Sequence, residues 1–174
     1  DNCSQDHSVT VFKDYIQTRQ CKDTVFLIES KTNGGFSFGN NLAIKAAMSQ
    51  AEKPDYIYLL NPDAILHEHG VRHLVEFLDA NPGVGIAGGR LVGPDGDEQG
   101  SARRFPSAFS ELEGMARFGV VSRLLQKHVV PLPLQKKPFE CDWVSGASLM
   151  IRRDVVEVIG GMDEGYFLYF EELD

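Results

Sequence analysis

The sequence lacks long hydrophobic runs, and its mean hydropathy is -0.19. A membrane-spanning helix needs roughly 20 predominantly apolar residues in succession, and no stretch of this chain comes near that length. The first ten residues are polar and do not have the pattern of a signal peptide. We therefore expect no transmembrane helix within these 174 residues.

An excess of basic residues is also missing. The chain has 17 lysines and arginines against 25 aspartates and glutamates, which gives a formal net charge of -8. Binding to a nucleic-acid backbone requires a basic face, which an acidic domain of this kind does not offer. We expect no nucleic-acid partner.

Cysteine is scarce. Cys3, Cys21 and Cys141 are widely spaced and odd in number, and no CxxC pair is present. This pattern indicates neither a disulfide framework nor a zinc or redox site. We interpret the three residues as reduced thiols and expect a cytoplasmic location.

The rest of the composition, 43% hydrophobic and 24% charged, is typical of one globular domain. Helix-like and strand-like apolar periods alternate along the chain. Helices are predicted near 9–20, 40–53, 71–80, 111–126 and 153–160, and strands over 25–28, 56–60, 84–87 and 146–151. This order predicts an α/β domain with a mostly parallel sheet, in which ligands bind at the carboxyl ends of strands, near Asn33 and Asp63.

Two motifs favour a structural interpretation. Gly83, Gly85 and Gly88 match G-x-G-x-x-G, but they follow a helix and lie in an apolar strand, whereas a dinucleotide site needs strand, glycines and then helix. We interpret them as a close-packed strand. His69 and His73 have helical spacing, but the glutamate that a zincin motif requires is absent, which favours a solvated helix start.

Polar residues follow the apolar run over 56–60. An aspartate such as Asp63, at the carboxyl tip of a buried strand, is suitably placed to hold a divalent cation that bridges a diphosphate. The alternative is an ordinary turn, because Asn61-Pro62-Asp63 is also common turn chemistry.

A glycine-rich segment, 33–41, opens the second helix. Its glycines permit close backbone approach, and free N–H groups at a helix start favour an anion or the polar edge of a nucleotide. The alternative is a flexible loop with an asparagine cap.

The chain ends in an acidic cluster, Glu171, Glu172 and Asp174, after an aromatic run. Carboxylates beside a pocket can act as a general base. A charged helix start is the alternative, because acidic residues are favoured there as well.

Six motifs in chain order resemble one known family, the inverting family-2 glycosyltransferases of the GT-A fold, and in particular its bacterial rhamnosyltransferase-like branch. The resemblance spans essentially the whole chain. The motifs are Asp1-Asn-Cys-Ser4, Asn33-x-Gly35-Phe36 with Asn41, Leu59-Leu-Asn-Pro-Asp63, Arg104-Phe-Pro106, Trp143-Val-Ser-Gly146-Ala and Tyr166-Phe-Leu-Tyr-Phe-Glu171-Glu-Leu-Asp174.

The resemblance implies a three-layer α/β/α sandwich of the GT-A type with a mostly parallel central sheet. It further implies that residues 1–174 are a single truncated catalytic domain, because the family's first strand and its C-terminal helices have no counterpart in this sequence.

The resemblance also implies roles for individual residues. The nucleotide would contact Asp1, Asn33, Gly35, Asn41 and Asn61. Asp63 resembles the metal-binding aspartate, with Mn²⁺ or Mg²⁺ as cofactor, although Asn61 replaces the first aspartate of the family's DXD-like motif.

Glu172 stands where the family has its catalytic aspartate, with Glu171 and Asp174 as alternates. Trp143 and Gly146 resemble the segment that contacts the acceptor, and core packing is the alternative for both.

The implied reaction transfers a sugar, with rhamnose as first choice, from a dTDP or UDP carrier to a glycan or lipid-linked acceptor. Peripheral association of the full-length protein with the cell membrane is an accompanying expectation. For the stretch over 123–137, a mobile acceptor loop is favoured over membrane contact. The competing hypothesis is a non-catalytic module of the same fold that binds a sugar nucleotide or glycan, which the departures at Asn61 and Glu172 would permit.

Overall fold

The computed structural model describes residues 1–110, 112, 129–133, 135–169 and 171–173. Its helices are α1 (Ser8–Thr18), α2 (Gly35–Met48), α3 (Gly70–Ala80), α4 (Arg153–Ile159) and a 3-10 turn at Glu171–Leu173. Its strands are β1 (Tyr56–Leu60), β2 (Ile86–Gly88), β3 (Leu91–Val92), β4 (Glu98–Gln99), β5 (Ala102–Arg103), β6 (Trp143–Val144) and β7 (Ser148–Arg152). The helix predicted over 111–126 lies almost wholly outside the described residues, as does part of the acceptor loop predicted over 123–137.

The described residues form two compact units. The first contains Asp1–Pro54 and Val158–Glu172, and the second contains Asp55–Glu157. Among the described helices, none combines the length and the apolar character that crossing a membrane requires.

In the first unit, α1 and α2 confirm two predicted helices, although α2 begins at Gly35, five residues before the predicted start. The apolar pattern begins only near Asn40, but hydrogen bonds from the Gly34 and Gly35 N–H groups to the Asn2 and Asn33 side chains hold the backbone at the earlier start. At the start of α1, hydrogen bonds from Ser8 to the Asp6 carboxylate hold the pKa of Asp6 below its usual value.

The strand predicted over 25–28 is wrong, because these residues form no regular strand. Asp1 forms one backbone hydrogen bond with the residue before Glu29 and one with the residue after it. Its terminal ammonium donates to the Ile28 carbonyl at 2.7 Å, and the Ser30 N–H donates to the Asp1 carbonyl at 3.0 Å. This is the pattern of one parallel bridge, and a single bridge is too short to make a ladder.

In the second unit, β7 lies between β1 and β2 and runs antiparallel to both, with Met150 opposite Tyr58 on one side and Ala87 on the other. β1 and β2 therefore point the same way without being neighbours. The mixed α/β class is confirmed, but the prediction of mostly parallel neighbours is wrong for the described strand pairs. The reason is that a strand from late in the chain fills the place beside β1.

The core of the second unit is built on Leu78 of α3, Ala87 of β2 and Met150 of β7. Leu78 and Met150 expose 0% and 1% of their surface. The predicted close packing of the glycine-containing strand is confirmed, because a Cβ on Gly85 or Gly88 would lie under 3.0 Å from a valine side chain.

Candidate functional site

The glycine-rich loop is held by the side-chain amide of Asn2. Its Nδ2 donates to the Asn33 side chain at 3.0 Å and to the Gly35 carbonyl at 2.8 Å, and its Oδ1 accepts from the Gly34 N–H at 3.3 Å. Asn33 closes the same turn, because its Oδ1 accepts the Gly35 N–H at 3.0 Å. Two asparagines that lie 31 residues apart in the sequence therefore fix the start of α2.

Gly35 brings this loop against the segment that leads into the acidic cluster. It is in the left-handed region, with a φ of 88°, and a Cβ added there would lie 2.0 Å from the Phe167 carbonyl oxygen. The same oxygen accepts the Phe36 N–H at 2.9 Å. Only glycine permits this approach, so the contact depends on the residue type at position 35.

The expectation that the start of α2 offers free N–H groups to an anion is wrong for three of them. The Gly34, Gly35 and Phe36 amides donate to Asn2, Asn33 and Phe167 respectively. Satisfied backbone donors have no capacity left for a phosphate. The assignment of Asn33 and Gly35 to nucleotide binding remains a prediction that does not rely on these amides.

Asn41 is engaged with the turn that follows α4. Its Nδ2 donates to the Met162 carbonyl and to the Glu164 carboxylate, each at 2.9 Å, and its Oδ1 accepts the Met162 N–H at 2.9 Å. Gly161 leaves room for this arrangement, because a Cβ there would lie 2.3 Å from the Asn41 side-chain oxygen. The observed contacts give Asn41 a structural role, and a role in nucleotide binding remains a prediction.

Asp1 is half-buried, and one of its carboxylate oxygens accepts the Ser4 N–H at 3.0 Å. This hydrogen bond spans the first of the sequence motifs, Asp1–Ser4. The second carboxylate oxygen keeps lone pairs for a further donor. Nucleotide binding by Asp1 remains a prediction.

The acidic cluster follows Phe167, the residue whose carbonyl contacts the glycine-rich loop within the first unit. Glu172 is half-buried in the 3-10 turn at Glu171–Leu173. The aromatic residues Tyr166 and Phe167 before it are exposed, and Tyr169 has a φ of 67°, which is unusual for a bulky residue. The side chain of Glu171 and all of Asp174 lie outside the described structure, so the alternates for the base stay untested.

Asn61 and Asp63 follow β1 in the second unit. The Asn61 N–H donates to the Ala147 carbonyl at 3.1 Å, and its carbonyl accepts the Ala64 N–H at 3.1 Å, which folds the chain into a turn around Asp63. The Asp63 carboxylate is exposed. The structure therefore has turn geometry here, and this geometry also presents a carboxylate at a strand tip.

The part of the chain that the structure describes contains no group of three or more His, Cys, Asp or Glu side chains arranged to hold a metal ion. An exposed single carboxylate still fits Mg²⁺ or Mn²⁺ in one way, because such ions are often held by one or two carboxylates together with substrate phosphates. Asp63 fits a metal that arrives with its diphosphate.

Trp143 lies in β6, where its indole N–H donates to the Arg104 carbonyl at 2.9 Å. The Arg103 guanidinium lies over the indole ring, 5.1 Å from its centroid, and the Arg103 Nε is buried without a hydrogen-bond partner among the described residues. One face of the indole is therefore covered by a cation. Gly146 lies in the turn between β6 and β7, and binding of an acceptor by either residue remains a prediction.

The three cysteines are free thiols, as expected. Burial raises the pKa of Cys141, which keeps that thiol protonated at neutral pH. The rings of His67, His69 and His73 are exposed and contact each other edge to face at the start of α3. The structure thus agrees with a solvated helix start at the histidines.

Two residues of this site escaped the sequence analysis. Asn2 was identified only as part of the motif Asp1-Asn-Cys-Ser4, and Phe167 only as part of the aromatic run before the acidic cluster. The available signal for Asn2 was its side chain, since asparagine readily bonds to backbone groups of turns. Nothing in the sequence indicates the role of Phe167, because its carbonyl, a group common to all residues, makes the contact.

Comparison with known proteins identifies the family of this chain. The sequence profile described as Glycosyl transferase family 2 matches residues 1–160, and the chain belongs to this family. The family resemblance of the sequence motifs is thereby confirmed. The match extends over residues of both units.

Three curated relatives show the same likeness. The chain is 28% identical over 125 residues to the N-acetylglucosaminyl-diphospho-decaprenol L-rhamnosyltransferase of Mycobacterium tuberculosis, which covers 69% of this chain and 39% of the relative. It is 25% identical to Rhamnosyltransferase WbbL of Escherichia coli, over 80% of this chain and 52% of the relative. It is also 25% identical to Low-salt glycan biosynthesis hexosyltransferase Agl10 of Haloferax volcanii, over 87% and 45%.

A solved structure shares the fold. The mannosyltransferase PcManGT from Pyrobaculum calidifontis, determined in complex with GDP-Man and Mn²⁺, superposes with a TM-score of 0.55 at 16% identity, over 94% of this chain and 37% of that chain. This likeness confirms the GT-A type of fold. The chain spans about 40 to 50% of the length of the curated relatives it matches.

Proposed function

We propose that this chain belongs to an inverting glycosyltransferase that moves a sugar from a nucleotide diphosphate carrier to a glycan or lipid-linked acceptor. The observation that carries the proposal is the contact of Gly35 and Phe36 with the Phe167 carbonyl. It joins the glycine-rich loop, assigned to the donor, to the segment that bears Glu172, assigned to the acceptor hydroxyl. Family membership supplies the reaction class.

The donor side of the site would consist of Asp1, Asn33, Gly35, Asn41 and Asn61. The free lone pairs of the Asp1 carboxylate suit the N–H of a pyrimidine base or a ribose hydroxyl. Two of the similar proteins are named as rhamnosyltransferases. Rhamnose on dTDP or UDP is therefore the donor that we propose first.

Asp63 would hold the divalent cation, Mn²⁺ or Mg²⁺, against the diphosphate. When bound, such a cation neutralises charge that develops on the departing diphosphate. The Mn²⁺ in the structure of PcManGT supports this assignment. Asn61 contributes no charge at the motif's first position, so we propose an exchangeable rather than a tightly held ion.

Glu172 would act as general base. Its carboxylate takes the proton of the acceptor hydroxyl while that oxygen forms a bond to the anomeric carbon. The bond from the anomeric carbon to the phosphate oxygen breaks on the opposite face, and its electron pair leaves with the nucleoside diphosphate. The configuration at the anomeric carbon is inverted.

Trp143 and Gly146 would contact the acceptor. The indole face away from Arg103 would stack against a sugar ring, and Gly146 follows in the next turn. The name of the Mycobacterium tuberculosis relative includes a decaprenol-linked acceptor. We accordingly propose a lipid-linked glycan as acceptor and a site of action at the cytoplasmic face of the cell membrane.

A second candidate is a module of the same fold that binds a sugar nucleotide or glycan without catalysis. It is favoured by Asn61 and Glu172, which depart from the residues that the family resemblance implies at these positions. The two candidates differ in one measurable property. A catalyst releases nucleotide from the donor in a metal-dependent reaction, whereas a binding module does not.

The decisive experiment is calorimetric titration of UDP and dTDP, each with and without Mn²⁺, into the chain and its Asp63→Ala variant. Binding that needs Mn²⁺ and is lost in the variant supports the diphosphate site. A matched control is Asp95→Ala, because Asp95 is also an exposed turn aspartate. Binding that is independent of Mn²⁺ and unchanged in Asp63→Ala would contradict the assignment of Asp63.

A further inference from the structure

We infer that Asn2 and Gly35 are positioning residues for the base: through the contact with Phe167 they set where Glu172 stands. We call Asn2, Asn33, Gly35 and Phe167 the Gly35 network. The inference rests on the proposed function, since it assigns Glu172 as base. Neither Asn2 nor Gly35 needs to touch the reacting atoms for this role.

The Gly35 network fixes the glycine-rich loop through the side chain of Asn2. Asn2 uses both of its polar side-chain atoms on residues 33–35, with three hydrogen bonds of 2.8 to 3.3 Å. Gly39 of α2 approaches the same side chain, because a Cβ there would lie 3.3 Å from its Nδ2. These contacts hold the side-chain amide of Asn2 in one orientation against the start of α2.

The glycine-rich loop in turn holds Phe167, which precedes the acidic cluster. The Phe167 carbonyl receives the Phe36 N–H at 2.9 Å, and the absent side chain of Gly35 leaves the gap into which this carbonyl fits. The Phe167 side chain is 60% exposed, so burial of its ring contributes little to holding it. The backbone contact is thus what holds Phe167 itself, while Asn41 holds the same segment further upstream, at Met162 and Glu164.

Backbone strain occurs next to the network at both of its ends. Cys3, next to Asn2, has a φ of 66°, and Tyr169, two residues after Phe167, has a φ of 67°. Left-handed conformations of such residues cost on the order of 1 kcal/mol and persist only where surrounding contacts determine them. Among the described residues, Gln20 is a third non-glycine residue with a positive φ, and it lies after α1, away from these contacts in the sequence. Cys3 and Tyr169 flank the contacts that we identify as restraints, which is expected if those contacts restrain the chain next to the loop.

Gly35→Ala tests the inference, and the chain contains a matched control. Gly160 lies in the same unit and has a φ of 82°, but a Cβ added there meets nothing within 4 Å. Gly160→Ala therefore carries the same backbone strain without the collision with Phe167. Asn2→Ala removes the network from its other end without adding an atom, which keeps the test valid if Gly35→Ala does not fold.

The first measurement is hydrogen–deuterium exchange of the Phe36 amide and of peptides that cover Tyr166–Tyr169. We expect faster exchange at both places in Gly35→Ala and Asn2→Ala, and wild-type exchange there in Gly160→Ala. Circular dichroism melts give the folded fraction of each variant. Unchanged exchange in the two network variants would overturn the inference.

The second measurement is Mn²⁺-dependent release of dTDP from dTDP-rhamnose, with water as acceptor. We expect kcat per folded molecule to fall by about tenfold to 100-fold in both network variants, because displacement of a base by about 1 Å has such an effect on rate. In Asn2→Ala, which alters no residue assigned to the donor, the donor KM should change little. A normal kcat despite faster exchange would overturn the inference. No release by the wild-type chain would instead contradict the proposed function, and the exchange data would still decide whether the network restrains the segment.

Discussion

The side chain of Asn41 and the backbone of Met162 form a reciprocal pair, in which each donates one hydrogen bond to the other at 2.9 Å. The two residues are 121 positions apart in the chain. A side-chain amide that mimics a backbone pairing in this way satisfies both polar groups of Met162. It thereby attaches the turn after α4 to α2 within the first unit.

Asn41→Ala is expected to lower the free energy of unfolding by about 2 to 3 kcal/mol, because it removes three hydrogen bonds worth about 1 kcal/mol each. Urea denaturation followed by circular dichroism measures this change. The matched control is Asn40→Ala, since the Asn40 side chain donates only to the Phe36 carbonyl one helical turn away. Equal effects of the two substitutions would contradict a special role for the Asn41 contacts.

Arg152 secures the end of α3 in the second unit. Its guanidinium donates to the Val84 carbonyl at 2.8 Å, to the Asn81 carbonyl at 3.3 Å and, at close range, to the Leu78 carbonyl. The last carbonyls of a helix have no partner inside the helix, and a cation stabilises that end. Arg152 of β7 therefore supplies hydrogen-bond donors to carbonyl groups at the end of α3 and just after it.

Arg152→Met is expected to destabilise the protein by about 2 to 3 kcal/mol, because it keeps the apolar stem and removes several charge-assisted hydrogen bonds. The comparison is Arg153→Met, whose partner Asp55 has a side chain that is 79% exposed, so the ion pair contributes at most about 1 kcal/mol. Thermal unfolding of the two variants side by side decides the matter. A smaller loss in Arg152→Met than in Arg153→Met would refute the assignment.

Local pattern was enough to predict β1 and α3, whose observed bounds agree with their apolar periods to within one residue. The features that were missed depend on residues distant in sequence. The start of α2 depends on Asn2, and the place of β7 between β1 and β2 depends on pairings across 60 to 100 positions. Periodicity reports which face of an element is apolar, but it carries no information about the partner that covers it.

The candidate site shows the same division. The sequence pointed to the turn at Asp63 and to the glycine-rich loop because both carry turn residues with recognisable chemistry. It missed Phe167, whose contribution is a carbonyl oxygen, and it overestimated the free N–H groups of α2. Backbone groups are identical at every position, so only a folded chain reveals which of them are already satisfied.

The hydroxyl of Tyr56 donates a hydrogen bond to the Asp79 carboxylate, and this bond raises the pKa of Tyr56 above its ordinary value of 10.0. A raised pKa in the folded state means that the bond stabilises the fold fully below pH 10 and that this stabilisation is lost as the pH rises through the folded-state pKa. We expect one of the five tyrosines to ionise late in a titration followed at 295 nm.

Tyr56→Phe should remove that late step from the titration. Asp79→Asn is the complementary test, because it retains an acceptor oxygen and removes the negative charge. In that variant the pKa of Tyr56 should move back toward its ordinary value. A late step that persists in Tyr56→Phe would show that another tyrosine is responsible.

Glu172→Gln is expected to lower kcat for Mn²⁺-dependent donor turnover by about 10² to 10⁴-fold, the usual contribution of a general base. The amide retains the size of the side chain but cannot accept the proton, so the donor KM should change little. The control Glu76→Gln alters an exposed glutamate on α3. If Glu172→Gln retains full activity while Glu171→Gln or Asp174→Asn loses it, the base is one of the two alternates. The residue that the Gly35 network positions would then be that alternate and not Glu172.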